Sequence, residues 1–317
     1  MGRAAFVAGD WGTSHLRLNL CDERGKVLRS KSGPGVNAIT GDVGETFFSL
    51  IGEWDIAYGV VPAVLCGMVG STIGWKNVPY MACPVHPDAI VSAAKRFDQG
   101  DRTITIAPGV SCRNRLFSPD VMRGEETQIL GALRCEPHLA EGSHLLCLPG
   151  THTKWVILKG GVIEHFLTGV TGELFDILHR HSVLVRAPDI GNATGGPAFL
   201  AALEQTRLHP DAELIHLLFG VRSRQLMNEL KNKDAGAYLS GLVIGQDVAG
   251  AMRLFREELS RARDIAVIGT PGLGELYATA LKARDVAVSK IDGATASLAG
   301  LAALHSMLSG KGLGHAA

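Results

Sequence analysis

The alternation of apolar and polar positions is clearest near the start of the chain. In the range 16–21 every second residue is a leucine, and Arg17 and Asn19 lie between the leucines. This period of two predicts a half-buried strand. An apolar run that starts at Phe6 predicts a strand before it, and Val27-Leu28 predicts one after it. The beginning of the chain therefore predicts a strand, a polar loop, a strand, a turn and a strand.

The polar loop between the first two predicted strands has the composition of an anion site. It reads Gly9-Asp10-Trp11-Gly12-Thr13-Ser14-His15, with two glycines, two hydroxyls and one carboxylate. Glycines let backbone amides approach an anion, hydroxyls add donors, and a carboxylate can hold hydrated Mg²⁺. The alternative interpretation is an ordinary hairpin with conventional turn residues.

The same order of elements recurs in the middle of the chain. An apolar run at 145–148 precedes the polar loop Pro149-Gly150-Thr151-His152-Thr153-Lys154, and two more apolar runs at 155–158 and 162–166 follow, separated by a turn. A duplicated hairpin unit, one near the start of each half, predicts two similar domains that face each other across a cleft. Two phosphate-binding loops would then bracket one nucleotide.

Three other segments carry candidate chemistry. A glycine-rich loop at 66–75 follows an apolar run. Glu125 and Glu126 lie at the start of an apolar helix, where they either complement the helix dipole or aim one carboxylate into a cleft. Near the end, the pattern predicts a strand at 265–268, a glycine loop at 269–274 and a helix from Glu275, an arrangement that binds nucleotides.

The remaining patterns complete the secondary structure. The range 286–288 predicts a short strand and 294–308 a closing helix. The range 33–38 fits the dinucleotide fingerprint formally, but it follows a polar stretch and contains Pro34, so we interpret it as a turn. No P-loop motif occurs, and the histidines at 179 and 181 match no metal-site spacing that would favour a metal over a surface role.

Composition narrows the function classes. The 317 residues predict about two domains, given ~100–200 residues per domain. The 31 basic and 31 acidic side chains give no net charge, which argues against a general nucleic-acid binder or a protein that binds anionic membranes. The 6 cysteines form no CxxC pair, and neither a signal peptide nor a membrane span is predicted. We therefore expect a cytoplasmic protein with reduced thiols.

Several motifs resemble those of a known superfamily. The loops at 9–14, 149–155 and 269–274 resemble the two phosphate motifs and the adenosine motif of the actin, sugar-kinase and heat-shock-chaperone ATPases. More narrowly, the chain resembles the 2-dehydro-3-deoxygalactonokinase family over essentially its whole length. The motifs that carry this resemblance are Gly67-Met68-Val69-Gly70-Ser71 with Gly74-Trp75, Met122-Arg123-Gly124-Glu125-Glu126-Thr127-Gln128, the segment 149–155, and Thr171-Gly172-Glu173-Leu174-Phe175.

The resemblance implies a fold and an activity. The fold is α/β, with two similar ribonuclease-H-like, actin-like ATPase domains of mixed sheet flanked by helices and an active-site cleft between them; we expect these domains at 1–122 and 123–317. The activity is an ATP- and Mg²⁺-dependent kinase that phosphorylates the 6-hydroxyl of 2-dehydro-3-deoxy-D-galactonate in galactonate catabolism. Phosphoryl transfer needs positioning, charge neutralisation and a base near the attacking hydroxyl.

The resemblance also implies roles for individual residues. Asp10 would organise Mg²⁺, Glu125 is the first choice for the catalytic base, and Glu126 is the second. The phosphates would be held by Gly12, Thr13, Ser14, Gly150 and Thr151, and the adenosine by Gly269, Gly272 and Gly274. The sugar acid would be held by Gly70, Ser71, Thr72, Trp75 and Arg123, with Arg123 or Lys76 as the partner of its carboxylate.

Two alternatives stay open at this point. One is a kinase of the same superfamily for another sugar acid, such as 2-dehydro-3-deoxygluconate. The other is a nucleotide-binding regulator or ATPase that phosphorylates no small molecule. A regulator would usually carry a DNA-binding helix pair upstream and a chaperone a further peptide-binding domain, and we expect neither here. The oligomeric state is open, with a homodimer as one option.

Overall fold

The computed structural model describes residues 2–185 and 195–310. Its strands are β1 (Phe6–Trp11), β2 (His15–Cys21), β3 (Val27–Pro34), β4 (Ala63–Gly67), β5 (Met81–Ala82), β6 (Lys95–Gln99), β7 (Arg102–Ile106), β8 (Val110–Arg113), β9 (Pro119–Met122), β10 (Ser143–Leu148), β11 (Thr153–Lys159), β12 (Val162–Gly169), β13 (Ile265–Gly269) and β14 (Val288–Asp292). Its helices are α1 (Val43–Tyr58), α2 (Pro87–Ala93), α3 (Glu125–Cys135), α4 (Thr171–His181), α5 (Pro197–Leu208), α6 (Leu214–Leu226), α7 (Ala235–Leu254), α8 (Arg256–Leu259), α9 (Pro271–Lys282) and α10 (Gly293–Leu308).

Two mixed sheets share one strand order. The first sheet has the order β3-β2-β1-β4-β7-β6, and the second has the order β12-β11-β10-β13-β14. In each, a three-strand meander is continued by parallel strands, as the pairs β1/β4 and β10/β13 show. A third, small sheet has the order β5-β8-β9. The predicted α/β class with a duplicated hairpin unit is confirmed by this repetition.

The chain forms two compact units, and each unit is built from separate stretches of the sequence rather than from one half of it. The first unit contains residues 1–142, 158–165 and 293–317, and the second contains 143–157 and 166–292. These ranges differ from the predicted division at residue 122, because α3 and the closing helix α10 both belong to the first unit. Among the described residues, no helix is long and apolar enough to cross a membrane.

Glycines bring α3 and α10 into close contact. A Cβ atom at Gly131 of α3 would overlap the carbonyl oxygen of Ala296, and a Cβ atom at Gly300 of α10 would overlap that of Thr127. Backbones can approach this closely only where side chains are absent. The helix α10 therefore packs on α3 by means of residues that a local pattern of apolar positions does not single out.

The alternation along β1 assigns its residues to two faces. Val7 and Trp11 pack in the core that contains Phe47 and Ile51 of α1. Phe6 and Ala8 pack in a second cluster, which contains Leu301 and Leu304 of α10. Because side chains alternate along a strand, the residue two positions after Ala8 lies on the α10 face. That residue is Asp10.

In the second unit, the core fills the space between its sheet and α5, α7 and α9. The largest side chains of this core come from β11, α5, α9 and the end of α7, and they are Trp155, Phe199, Tyr277 and Phe255. Two local predictions are corrected here. The helix α9 begins at Pro271 rather than Glu275, because proline is well suited to a first helical turn. The last strand lies at 288–292 rather than at 286–288.

Candidate active site

The phosphate-1 loop (residues 9–15) is held by the segment that follows β3. The amide of Gly12 donates to the His15 carbonyl (2.9 Å), and the amide of Val36 donates to the Gly12 carbonyl (3.1 Å). A Cβ atom at Gly35 would overlap the backbone of Thr13 and Ser14. Gly35 belongs to the segment that the sequence analysis treated only as a turn. Its lack of a side chain is what lets this segment support the loop.

Asp10 is the next-to-last residue of β1. It lies beside Arg17, Cys66 and Ser297 of the first unit. It is paired across the sheet with Arg17 of β2 and Cys66 of β4. Ser297 of α10 donates its hydroxyl to Asp10 Oδ2 (3.0 Å), and Arg17 Nη1 lies 3.9 Å from the same oxygen. Burial raises the pKa of the Asp10 carboxyl, Ser297 and Arg17 lower it, and Glu125 raises it further. The effect of Glu125 places a second carboxyl group near Asp10.

Glu125 and Glu126 occupy different environments in the first turn of α3. Glu126 is fully buried, and it accepts hydrogen bonds from the Gly124 amide (2.7 Å) and the Thr127 hydroxyl (2.8 Å). Burial and the neighbouring Glu125 raise the pKa of Glu126 to about 7. Glu125 is only part-buried and accepts from the Arg123 amide (2.9 Å). The geometry gives the two glutamates separate roles: one is accessible and one is enclosed.

Arg123 precedes the two glutamates in the chain, and its guanidinium is held by residues near β5. It stacks on the Tyr80 ring, with 4.3 Å between Cζ and the ring centroid, and Nη2 donates to the Val78 carbonyl (2.7 Å). Its Nε and Nη1 atoms are buried, and within the described residues they have no hydrogen-bond partner. Buried donors without partners are costly, so a ligand oxygen is the natural acceptor for them. A Cβ atom at Gly70 would lie 2.8 Å from Nη1, so the guanidinium can pack this closely on residue 70 because that residue is glycine.

The substrate loop (residues 67–75) is largely bonded to itself. Ser71 is buried, and both its amide and its hydroxyl donate to the Met68 carbonyl (3.0 and 2.7 Å). Thr72 is exposed. The Trp75 ring packs against Phe47, Phe48 and Phe97. The loop therefore places Thr72 at the surface, whereas Ser71 and Trp75 make contacts that hold the loop together.

In the second unit, the phosphate-2 loop (residues 149–154) packs on the start of α4. The amide of Glu173 donates to the Thr151 carbonyl (2.9 Å), and His152 Nε2 lies 2.5 Å from Glu173 Oε2. A Cβ atom at Gly172 would overlap the Gly150 carbonyl oxygen. The Thr-Gly-Glu motif at 171–173 is therefore the support of this loop, and its glycine permits the close approach.

Asp247 of α7 accepts three hydrogen bonds close to the same loop. The donors are Trp155 Nε1 (2.9 Å), the Thr171 hydroxyl (2.8 Å) and the Tyr277 hydroxyl (2.5 Å). The Tyr277 and Thr153 hydroxyls are also hydrogen-bonded to each other (2.7 Å). Sequence reasoning gave Asp247 no role. The available signal was a lone carboxylate within a mostly apolar helix.

The adenosine loop (residues 269–274) is shorter than predicted because α9 starts inside it. A Cβ atom at Gly269 would lie 3.3 Å from Pro149 of the phosphate-2 loop, so these two loops of the second unit are neighbours. A Cβ atom at Gly272 would meet no atom within 4 Å, and Gly274 is buried inside the first turns of α9. Gly272 is thus the glycine of this loop with open space beside it.

The predicted site residues therefore fall into two groups, each within one unit. The first unit contains Asp10, Glu125, Glu126 and Arg123, and it holds the phosphate-1 loop. The second unit brings the phosphate-2 loop next to Gly269. In the part of the chain that the structure describes, no group of three or more His, Cys, Asp or Glu side chains is placed to hold a metal ion.

Known proteins match the chain over nearly its whole length. The model of the 2-keto-3-deoxy-galactonokinase family matches residues 10–304. A Rhizobium meliloti (strain 1021) protein designated a probable 2-dehydro-3-deoxygalactonokinase is 41% identical over 307 residues, which are 94% of this chain and 95% of the relative. An Escherichia coli (strain K12) 2-dehydro-3-deoxygalactonokinase is 32% identical over 298 residues, which are 94% of this chain and 96% of the relative.

A solved structure agrees with these matches. The crystal structure of a Sinorhizobium meliloti protein, provisionally designated a 2-dehydro-3-deoxygalactonokinase, has a TM-score of 0.83 to this chain at 39% identity. The match covers 96% of this chain and 99% of the other. Residues 10–15 of the phosphate-1 loop, the whole phosphate-2 loop, the adenosine loop and the two glutamates lie within the matched family range.

Proposed function

The chain belongs to the 2-keto-3-deoxy-galactonokinase family, and from that membership we propose that it transfers the terminal phosphoryl group of ATP to the 6-hydroxyl of 2-dehydro-3-deoxy-D-galactonate. The family resemblance predicted from the motifs is confirmed, and the chain is a sugar-acid kinase, a phosphotransferase with an alcohol acceptor. The epimer, the position of the hydroxyl and the residues involved are the proposed part.

The observation that carries the mechanism is a set of three charged side chains in the first unit, Asp10, Glu125 and Arg123. It combines two carboxyl groups with a buried guanidinium whose Nε and Nη1 atoms have no hydrogen-bond partner among the described residues. A sugar acid offers a hydroxyl that must lose a proton and a carboxylate that must be neutralised. The set supplies a group of the right chemistry for each of these needs.

Glu125 is the proposed general base. A base must reach the attacking hydroxyl, and Glu125 is part-buried, whereas Glu126 is enclosed with both carboxyl oxygens already accepting hydrogen bonds. The hydrogen bond from the Arg123 amide fixes one oxygen of Glu125. In this scheme Glu126 holds the turn that presents Glu125, because it accepts from the Gly124 amide.

Arg123 is the proposed partner of the substrate carboxylate. Its stacking on Tyr80 and its bond to the Val78 carbonyl fix the guanidinium plane, which leaves Nε and Nη1 for the ligand. Arginine suits a carboxylate because its planar fork of donors matches the two oxygens. Exposed Thr72 is a further contact. Ser71 and Trp75, which the sequence also predicted as substrate ligands, would support the loop.

Nucleotide contacts are proposed for each unit by itself. In the first unit, Gly12, Thr13 and Ser14 are proposed to bind phosphate, and in the second unit, Gly150 and Thr151 are proposed to bind phosphate. For the adenosine, Gly272 offers open space, Gly269 adjoins the phosphate-2 loop, and Gly274 lets the first turns of α9 stay compact. These assignments rest on the two supported loops described above and on glycine's tolerance of close backbone approach.

The residues near Asp10 fit a bound Mg²⁺. Magnesium usually keeps several waters and binds one or two carboxylates together with substrate phosphates, so it needs no cage of protein ligands. Asp10 has a side chain that is 22% exposed, with Glu125 nearby. When bound, Mg²⁺ would neutralise charge on the phosphates. We place the protein in the cytoplasm, with a sugar acid as its partner and neither nucleic acid nor membrane; a homodimer stays a proposal without a specific interface.

The reaction can be tested by measuring ADP release from MgATP with purified protein. The arms are 2-dehydro-3-deoxygalactonate, 2-dehydro-3-deoxygluconate and no sugar, each repeated with Asp10→Asn. We expect release only with the galactonate, and we expect Asp10→Asn to lose most of it while staying folded. Release only with the gluconate would mean that the gluconate, and not the galactonate, is the substrate. Release without sugar would favour an ATPase. As a matched control, Asp101→Asn changes an exposed aspartate of the same unit and should leave the rate unchanged.

A further inference from the structure

Asp247 connects three segments that carry nucleotide motifs. Trp155 follows the phosphate-2 loop directly, Thr171 is the first residue of α4, and Tyr277 lies in the helix after the adenosine loop. All three donate to the Asp247 carboxylate at 2.5–2.9 Å. These donors come from residues that lie 92, 76 and 30 positions away in the chain.

Each of the three donors to Asp247 is connected to the phosphate-2 loop. The Tyr277 hydroxyl is also bonded to Thr153, which lies inside the loop and is completely buried. Thr171 precedes Gly172 and Glu173, and these two residues contact the backbone of Gly150 and Thr151. The position of the loop backbone therefore depends on a network whose common acceptor is Asp247.

We propose that Asp247 is a positioning residue for the nucleotide: its carboxylate sets the phosphate-2 loop relative to α4 and to the helix that follows the adenosine loop. The inference rests on the proposed function, because it concerns the loops assigned to ATP. Asp247 itself contacts neither the sugar acid nor the reacting atoms in this scheme. Its loss should weaken nucleotide binding and leave the affinity for the sugar acid unchanged.

The network is built for a carboxylate rather than for an amide. Three donors face two oxygens, and an asparagine amide would direct N–H groups at one or two of those donors. Burial raises the pKa of the Asp247 carboxyl, and the Tyr277, Thr171 and Trp155 bonds lower it. The surrounding donors thus favour the ionised form in a site where desolvation opposes it.

The test compares Asp247→Asn with Gln246→Ala on the same helix. Gln246 donates to the Ala212 carbonyl (2.8 Å), so the control removes a hydrogen bond from α7 that does not lead to the loop. The readouts are the Kd for MgADP by calorimetry, the KM for MgATP, the KM for the sugar acid, and the Tm. We expect Asp247→Asn to raise the Kd and the KM for nucleotide about tenfold, the size expected when hydrogen bonds to a charged group are lost.

The control is expected to lower Tm without a change in nucleotide affinity. Tyr277→Phe and Thr171→Val each remove one donor and should raise the Kd for MgADP by about threefold. These two variants test the same network if Asp247→Asn does not fold. Nucleotide affinity within twofold of wild type in all these variants would overturn the inference, even if their Tm falls. A wild-type protein that binds MgADP but phosphorylates no sugar acid would disprove the proposed function, while the Kd comparison would still decide the role of Asp247.

Discussion

The buried carboxyl groups of the two units have different kinds of neighbours. In the first unit, Asp10 and Glu126 each have Glu125 as an acidic neighbour that raises their pKa. In the second unit, Asp247 has three neutral donors and no acidic neighbour among the causes of its pKa shift. A carboxyl group whose pKa is raised by an acidic neighbour is expected where protons move, whereas a carboxylate with both oxygens hydrogen-bonded to neutral donors is expected where geometry must be fixed. This difference agrees with the proposed roles, in which the first unit supplies the acid–base group and the second unit supports the phosphate-2 loop.

The largest expected effect is that of Glu125→Gln on turnover. Removal of a general base typically costs about 10²–10⁴-fold in rate, and we expect kcat to fall by this amount. The matched control is Glu45→Gln, because Glu45 is an exposed acidic residue in the first turn of α1 in the same unit. If Glu125 served only the helix dipole, the two variants would have similar rates, and the assignment of a base would be wrong.

The second effect concerns the contact between α3, which carries Glu126, and α10, whose Ser297 donates to Asp10. Gly300→Ala places a methyl group against the Thr127 carbonyl, and overpacking of this kind should lower the free energy of unfolding by about 3 kcal/mol. Gly52→Ala in α1 is the control, because a Cβ atom there meets no atom within 4 Å. It should stabilise the protein by up to ~1 kcal/mol through helix propensity. Chemical denaturation measures both; an equal stability of the two variants would contradict the close contact.

The sequence predicted the parts of this site that local patterns encode. The phosphate-1 loop and the phosphate-2 loop were found because each separates two apolar runs, and both the period of two and the glycines are visible within a few residues. Glu125 was predicted as the first choice for the base by resemblance, and its exposure relative to Glu126 supports that choice.

The supports of the site could not be predicted in this way. Ser297 reaches Asp10 across 287 positions of the chain, and Asp247 reaches Trp155 across 92. Gly35 and Gly300 matter because of backbone that packs on them from distant elements. Such residues have no local period, so a single sequence gives only weak signals for them.

The third effect uses pH to distinguish the two kinds of carboxyl group. The pKa of Glu126 is about 7 in the folded protein against an ordinary 4.5. A raised carboxyl pKa means that the folded state binds more protons, so its contribution to stability falls as pH rises from about 4.5 to above 7. Glu126→Gln lacks this loss, because glutamine is uncharged.

We expect Glu126→Gln to be more stable than wild type by roughly 2–3 kcal/mol at pH 8, with the difference vanishing near pH 4.5. Urea denaturation at pH 4.5, 6 and 8 measures this change. A glutamine can still accept from the Gly124 amide and donate to the Thr127 hydroxyl, so the packing is preserved. A constant difference across the three pH values would show that the effect comes from packing and not from the charge.

The smallest effect expected is that of Ser297→Ala, which removes a single hydroxyl from Asp10. Because the hydrogen bond from Ser297 lowers the pKa of Asp10, its loss should raise that pKa further. In its proposed role Asp10 must be ionised to hold Mg²⁺, so the acidic limb of the kcat/KM profile should move to higher pH. On the acidic side of this limb we expect a loss of about threefold to tenfold, the size of one hydrogen bond to a charged group, with recovery as pH rises. Ser306→Ala on the same helix should leave the profile unchanged. A pH-independent loss in Ser297→Ala would mean that Ser297 orients Asp10 without affecting its ionisation. The Asp10 carboxylate would then be fixed in place by its donor, as Asp247 is in the second unit, and the contrast between the two units would be wrong for Asp10.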